Sequence, residues 1–375
     1  MESEKKENRL FGYLKALPKR WFITAFSGMA QGLFVTLIAG TILAQIAGWI
    51  GESNYWGFLL SRIASIAKSM MGVGIGVGIA HALGKNKLLI FSAAVAGFVG
   101  AFSMELLTPV GGVRFASLTF GAPGNPIGAY VVTMLVVEVV ELYAGKTKLD
   151  ILLIPLGVLF LSLVGIHAAY PFIWLVNQLG VVIAVATEIT PFFMGIVIAV
   201  VMGVLLTMPT SSAAIWVAVA SPVLALGEGA NYQAMLLAGG AATVGCACQM
   251  VGFAVASYRE NKVSGLISQG IGTSMLQIPN VMKKPIIMLP MIISSAICGP
   301  LSTCVFQLKC GTAGGGMGTS GLVGVFDLFN YTSGVLGGVG IILLMLVLPA
   351  VLNIVIAEFM RKKGWINEGD MKLPE

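Results

Sequence analysis

Charge is what this chain has least of: Asp, Glu, Lys and Arg together make up 10% of its 375 residues, and there are only 2 histidines. A soluble domain normally carries about a quarter charged residues, so that class is excluded. Few groups remain for acid–base chemistry. No Ser/His/Asp arrangement, Walker sequence, dinucleotide fingerprint or zinc spacing occurs in its required context, so autonomous catalysis, a cofactor and a metal are all unsupported. The 5 cysteines, Cys246, Cys248, Cys298, Cys304 and Cys310, lie in or beside apolar segments without histidine partners and read as small buried residues. Long polar stretches are missing too, apart from residues 1–20 and 361–375. A cleavable leader is not expected, because the first apolar run is too long and lacks a small-residue cleavage site.

Apolar residues are abundant instead, at 57%, with a mean hydropathy of +0.93. The expected fold class is an all-α, polytopic integral membrane protein with re-entrant hairpins. A spanning helix needs roughly 20 apolar residues, and candidate spans fall near 21–49, 57–83, 88–108, 126–144, 150–176, 191–207, 212–227, 231–256, 285–306 and 335–359. That gives about ten crossings. The net charge of +6 collects at span ends, in Lys5, Lys6, Arg9, Lys15, Lys19 and Arg20, then in GKNK (84–87), GKTK (145–148), RENK (259–262), Lys283 with Lys284, and Arg361 to Lys363. Basic residues mark the cytoplasmic side, and an even number of crossings puts every cluster there with both termini. The partner this implies is membrane lipid, not nucleic acid. The expected organisation is a cytoplasmic segment over 1–20, one membrane domain over 21–360 and a cytoplasmic tail over 361–375. Glycine, at 48 residues, is frequent within the spans, where small residues let helices approach closely.

Four polar interruptions break the apolar pattern: GGVRFASLTFGAPGNPIGAY (111–130), TMPTSSAAIW (207–216), GIGTSMLQIPN (270–280) within the broken segment SGLISQGIGTSMLQIPNVMKKPIIMLP (264–290), and GTAGGGMGTSGLVG (311–324). Irregular backbone at membrane depth survives only where protein buries it or water and solute reach it, and transporter sites are commonly built from such broken helices. The hydroxyls and amides of Asn125, Thr207, Thr210, Ser211, Ser212, Thr273, Ser274, Gln277, Asn280, Thr319 and Ser320 could exchange hydrogen bonds with a neutral polyol. The alternative is that each loop is a turn capped by Ser, Thr or Asn. Among the ionisable residues, His167 and Glu188 are flanked by apolar stretches: either contacts a solute or relays a proton, or it packs at the interface. Glu138 and Glu141 are expected to pair with Lys146 and Lys148 at the surface, and Asp327 and His81 to be solvated.

Several of these segments resemble the fructose and mannitol type of membrane permease subunit (enzyme IIC) of the bacterial phosphoenolpyruvate-dependent sugar phosphotransferase system. GVGIGVGIAHALGKNKLLIFSAAVAGFVGAF (72–102) is similar to that family's small-residue helix, basic loop and glycine-rich helix. LDILLIPLGVLFLSLVGIHAAYPFIWLVNQLG (149–180) and PFFMGIVIAVVMGVLLTMPTSSAA (191–214) resemble its Ile-Pro-led helix and the span entering its substrate loop. GIGTSMLQIPNVMKKPIIMLPMIISSAICGPL (270–301) resembles its Gly-Ile-Thr-Glu segment with Ile-Pro and the following helix. A closer likeness is to permease-like membrane proteins named as putative toxin-gene regulators. The resemblance implies alternating-access transport of a sugar or polyol, a homodimer, and phosphate delivered by separate phosphocarrier proteins. Three departures stand out. The family's glutamate falls on Met275, the charges of its Asp-Met-Gly-Gly-Pro loop are absent around Thr207 to Ser212, and its late histidine is missing from 311–324. Two other readings follow from those losses: a phosphate-independent transporter, or a sensor that kept the permease fold.

Overall fold

The computed structural model describes residues 17–51, 53–107, 124–208 and 212–373. Among them every regular element is helical. In chain order the principal helices are α1 (Leu17–Ile50), α2 (Tyr55–Ser69), α3 (Met71–Ala82), α4 (Lys87–Ala101), α5 (Pro126–Glu141), α6 (Asp150–Ile189) and α7 (Pro191–Thr207). They continue with α8 (Ser212–Leu224), α9 (Ala230–Ala256), α10 (Tyr258–Ile267), α11 (Ile278–Lys283), α12 (Pro285–Val305), α13 (Val323–Tyr331) and α14 (Val335–Lys362). Each of the ten apolar runs is therefore helical. Five of these helices, α1, α6, α9, α12 and α14, are long and apolar enough to cross a membrane, and α2 with α3 forms a sixth candidate bent by 52°.

Local sequence explains where the helices begin. Asn54, Asn86 and Asn125 cap α2, α4 and α5, each accepting a first-turn N–H, and Pro126 and Pro191 occupy the start of α5 and α7, where no donor is needed. Asn125 accepts from the N–H groups of Ile127 and Gly128 at 2.9 and 3.0 Å.

The chain divides into two compact units, residues 1–174 and 175–375, with the division inside α6. In the first, α1 meets α3 along a glycine seam. A Cβ built on Gly78 would lie 2.2 Å from the carbonyl oxygen of Gly28, and one on Gly32 would lie 2.1 Å from that of Gly74. Only hydrogen fits there. Glu138 and Glu141 are partnered by Arg20, at 2.9 and 3.4 Å, and Glu141 also by Lys85. This corrects the expected pairing with Lys146 and Lys148, which remain exposed. Lys85 is buried and needs a counter-charge, whereas exposed lysines keep their water.

In the second unit α9 is the central element, with 94% of its most apolar window buried. Its small residues allow the approach of α7, where a Cβ on Gly245 would lie 2.0 Å from the Ala199 carbonyl oxygen. Phe253 on α9 shares an apolar cluster with Val281, Ile287, Met288, Met291 and Met360, together with Ile366 and Met371 from the segment after α14.

The glycine seam gives a direct test. Gly78→Ala forces a backbone-to-methyl clash and should destabilise by about 1–3 kcal/mol, the usual range for overpacking. Gly48→Ala, with no atom within 4 Å of the added methyl, should be neutral or stabilising. Thermal unfolding of the two purified variants in one detergent checks the contrast; equal melting temperatures would contradict it.

Candidate functional site

The segment joining α10 to α12 is broken in several places. A π-turn over Ser268–Gly272 runs into Thr273 in extended conformation (φ −161, ψ 143), followed by a 3-10 turn, Ser274–Gln277, then α11 and a second break at Lys284. Gly270, Gly272, Pro279 and Pro285 account for the breaks, since neither residue type sustains a helix interior. Thr273 Oγ1 caps the 3-10 turn by accepting from the Met275 N–H at 3.2 Å.

The 3-10 turn sorts its side chains. Ser274 and Gln277 are fully buried, while Met275 and Leu276 are exposed. The Ser274 hydroxyl lies 2.9 Å from that of Thr207, the last residue of α7, and Thr207 donates at 3.3 Å to Gln249 Oε1 on α9. All three residues have no exposed surface. Gln249 Nε2 has no hydrogen-bond partner among the described residues. A buried donor left unpaired costs about 1–3 kcal/mol, and among the described residues this cluster is one acceptor short.

The glycine-rich loop packs on the same segment. Thr319 donates to the Gly270 carbonyl at 2.6 Å and Ser320 to that of Gly272 at 2.9 Å. From α8, Ser212 donates to the Gly316 carbonyl at 2.6 Å and Trp216 Nε1 to that of Gly311 at 2.9 Å. Asp327 on α13 is buried, which corrects the expectation that it is solvated. Its Oδ2 accepts the N–H groups of Gly311 and Gly314 at 2.9 and 2.8 Å and the Cys310 thiol at 3.2 Å. The loop's free amides need an acceptor, and Asp327 supplies it. Burial pushes its carboxyl pKa up, opposed by those three donors.

Three of the four polar interruptions therefore meet in the second unit, through Thr207, Ser212, Ser274, Thr319 and Ser320. Thr273 sits beside them as a cap. Gln277 and Asn280 turn instead to the segment after α14: Gln277 Nε2 donates to Gln269 Oε1 and the Met371 carbonyl, and Asn280 Nδ2 to Gln277 Oε1 and the Lys372 carbonyl. Thr210 and Ser211 fall outside the described residues, as does most of the interruption at 111–130. Asn125, in the first unit, is used as a helix cap. His167, also in the first unit, is exposed and bonds the Leu163 carbonyl of its own helix at 2.9 Å; Glu188, in the second, is exposed near the end of α6. No group of three or more His, Cys, Asp or Glu side chains suited to a metal occurs among the described residues.

Sequence reasoning missed Gln249. The available signal was one amide within GCACQM, deep in a 27-residue helix of small and apolar residues, where a polar side chain is costly without a purpose.

A family model described as "Phosphotransferase system, EIIC" matches residues 23–373. No curated protein and no solved structure matches the chain.

The loop geometry sets an order for two substitutions. Asp327→Asn retains an oxygen for the Gly311 and Gly314 amides and removes a carboxylate whose ionisation burial disfavours, so it should leave stability at pH 7 unchanged or raised. Asp327→Ala strands both amides and should cost about 2–6 kcal/mol at the usual penalty for each buried donor. Detergent-phase unfolding at pH 7 reads both, and an equal loss in the two variants would refute the acceptor role.

Proposed function

The chain belongs to the phosphotransferase system EIIC family, as a permease component of a sugar phosphotransferase system and a multi-pass protein of the bacterial inner membrane, and we propose that its solute is a neutral sugar or polyol bound at Thr207, Gln249 and Ser274. The observation that carries this reading is the fully buried Nε2 of Gln249, without a hydrogen-bond partner among the described residues, in a cluster with the hydroxyls of Thr207 and Ser274. A polyol oxygen supplies the missing acceptor, and its O–H groups find acceptors in the hydroxyls of Thr207 and Ser274. The cluster itself contains no charged side chain. A carboxylate or ammonium solute would enter without a counter-charge, which is strongly disfavoured at low dielectric.

Movement by alternating access, a homodimeric assembly and cytoplasmic termini complete the proposal, supported by the family and by the placement of basic residues. Phosphate would come from separate phosphocarrier chains. The position corresponding to the family glutamate is Met275, 36% exposed and turned away from the Thr207 group. That observation also favours a second reading, in which the chain binds a sugar and reports it to a partner without moving it.

Uptake of labelled hexoses and hexitols into proteoliposomes, with and without phosphocarrier proteins, tests the proposal. At least one solute should accumulate. Gln249→Leu should reduce its initial uptake at low concentration by about 3- to 10-fold, the worth of one neutral hydrogen bond. Binding without uptake would replace transport with sensing, and neither binding nor uptake of any solute would refute both.

A further inference from the structure

The chain does not leave the second unit where α14 ends. It turns at Gly364 (φ +72) and runs back across the broken segment 268–284. Ile366 and Met371 are buried in the cluster formed by Phe253, Val281, Ile287 and Met288. The backbone between and beyond these anchors is held by side chains. Glu260 accepts the N–H groups of Gly369 and Met371 at 3.3 and 2.9 Å. Asn261 donates to the Met371 carbonyl at 2.8 Å and accepts from the Leu373 N–H at 2.9 Å. Gln277 and Asn280 each donate at 2.9 Å, to the carbonyls of Met371 and Lys372. Lys284 and Asp370 pair at 2.7 Å.

These contacts grip the segment that carries Ser274. Gln277 and Ser274 are the two ends of a single four-residue 3-10 turn. One end is held by the tail and the other touches Thr207, so the turn cannot swing away from Thr207 while Gln277 stays bonded to Met371. The hold is also of a kind that can be undone. It has two apolar anchors, and its other contacts are polar ones, with a third of the Lys284 side chain and a fifth of that of Asp370 exposed. Burial opposes ionisation of Asp370, but the bond from Lys284, the Asn367 N–H and the charges of Lys284 and Arg361 outweigh it and keep the carboxyl below its usual range. Gly364 and Gly369, at φ +72 and +92 with nothing within 4 Å of an added Cβ, provide unhindered pivots at either side of Trp365–Glu368.

We propose that residues 365–373 are a releasable latch: docked, they hold the 268–284 segment against α7 and α9, and their release frees that segment to move. The consequence for transport rests on Ser274 lining the solute site, as proposed above; the mechanical coupling does not.

Hydrogen exchange on the purified full-length chain, read by mass spectrometry over 274–284 and 369–373, tests the latch without any solute. Asp370→Lys places two cations together and should speed exchange over both stretches by about 5-fold, the upper worth of a partly exposed ion pair. Lys284→Asp combined with Asp370→Lys restores the ion pair but not the Asn367 N–H bond, and should recover part of the protection, which shows that the first effect is not misfolding. Asp370→Lys with Asn261→Ala removes two further tail contacts and should release the tail more fully. Faster exchange at 369–373 with none at 274–284 would make the tail a passive strap and overturn the proposal. So would a tail that stays protected in the variant combining Asp370→Lys with Asn261→Ala. Proteoliposome uptake by the same variants separates the two ideas: an exchange response with no uptake of any solute removes transport and leaves the latch, while uptake without an exchange response removes the latch alone.

Discussion

Irregular backbone buried among apolar helices must find its hydrogen bonds within the protein, and the second unit is arranged around meeting that demand. The carbonyls of Gly270 and Gly272 are met by Thr319 and Ser320, those of Gly311 and Gly316 by Trp216 and Ser212, and the amides of Gly311 and Gly314 by Asp327. The carbonyls of Met371 and Lys372 are met by Gln277 and Asn280. Each bond ties one broken segment to another element. The polar interruptions that weaken the helices are thus also what hold α8, the glycine-rich loop, the segment after α10 and the tail in register.

Against that background the Nε2 of Gln249, like the hydroxyls of Ser294 and Ser302 and the Oδ1 of Asn353, has no hydrogen-bond partner among the described residues, and it differs from them in belonging to a side-chain cluster with Thr207 and Ser274. The hydroxyls of Thr207 and Ser274 pair with each other, while this amide, with no exposed surface, is one acceptor short among the described residues. Buried polar groups are rarely orphaned without a reason. Its neighbours Thr207 and Ser274 are hydroxyls that can each donate or accept, so the cluster adapts to either polarity of a solute hydroxyl. Asn125 and Thr273, by contrast, use their side chains to cap helical turns.

The sequence displayed the helical plan well because each element is specified locally. Apolar runs, Asn caps and Pro at first-turn positions all act within a few residues, and the ten runs are helical. The segments around 207–212, 270–280 and 311–324 stand out in the sequence as polar interruptions of apolar runs, because polar backbone at membrane depth must be sheltered. Pairings between distant residues were not legible. Glu138 and Glu141 meet Arg20 and Lys85, far back along the chain, although lysines stand a few positions away. Asp327 looked solvated because the amides it serves lie 13 and 16 residues before it. The bonds from Gln277 and Asn280 to a tail 92 to 94 residues later are announced by nothing in their neighbourhood. Gln249 was hidden by its apolar surroundings, which are the same feature that makes its free N–H costly.

The central claim, that the Gln249 amide awaits a solute oxygen, is tested most directly by an experimental structure of the full chain with a bound hexose or hexitol. The account predicts a solute oxygen within hydrogen-bond distance of Gln249 Nε2 and others near the hydroxyls of Thr207 and Ser274. A solute bound elsewhere, with Gln249 Nε2 paired to a protein group, would contradict it.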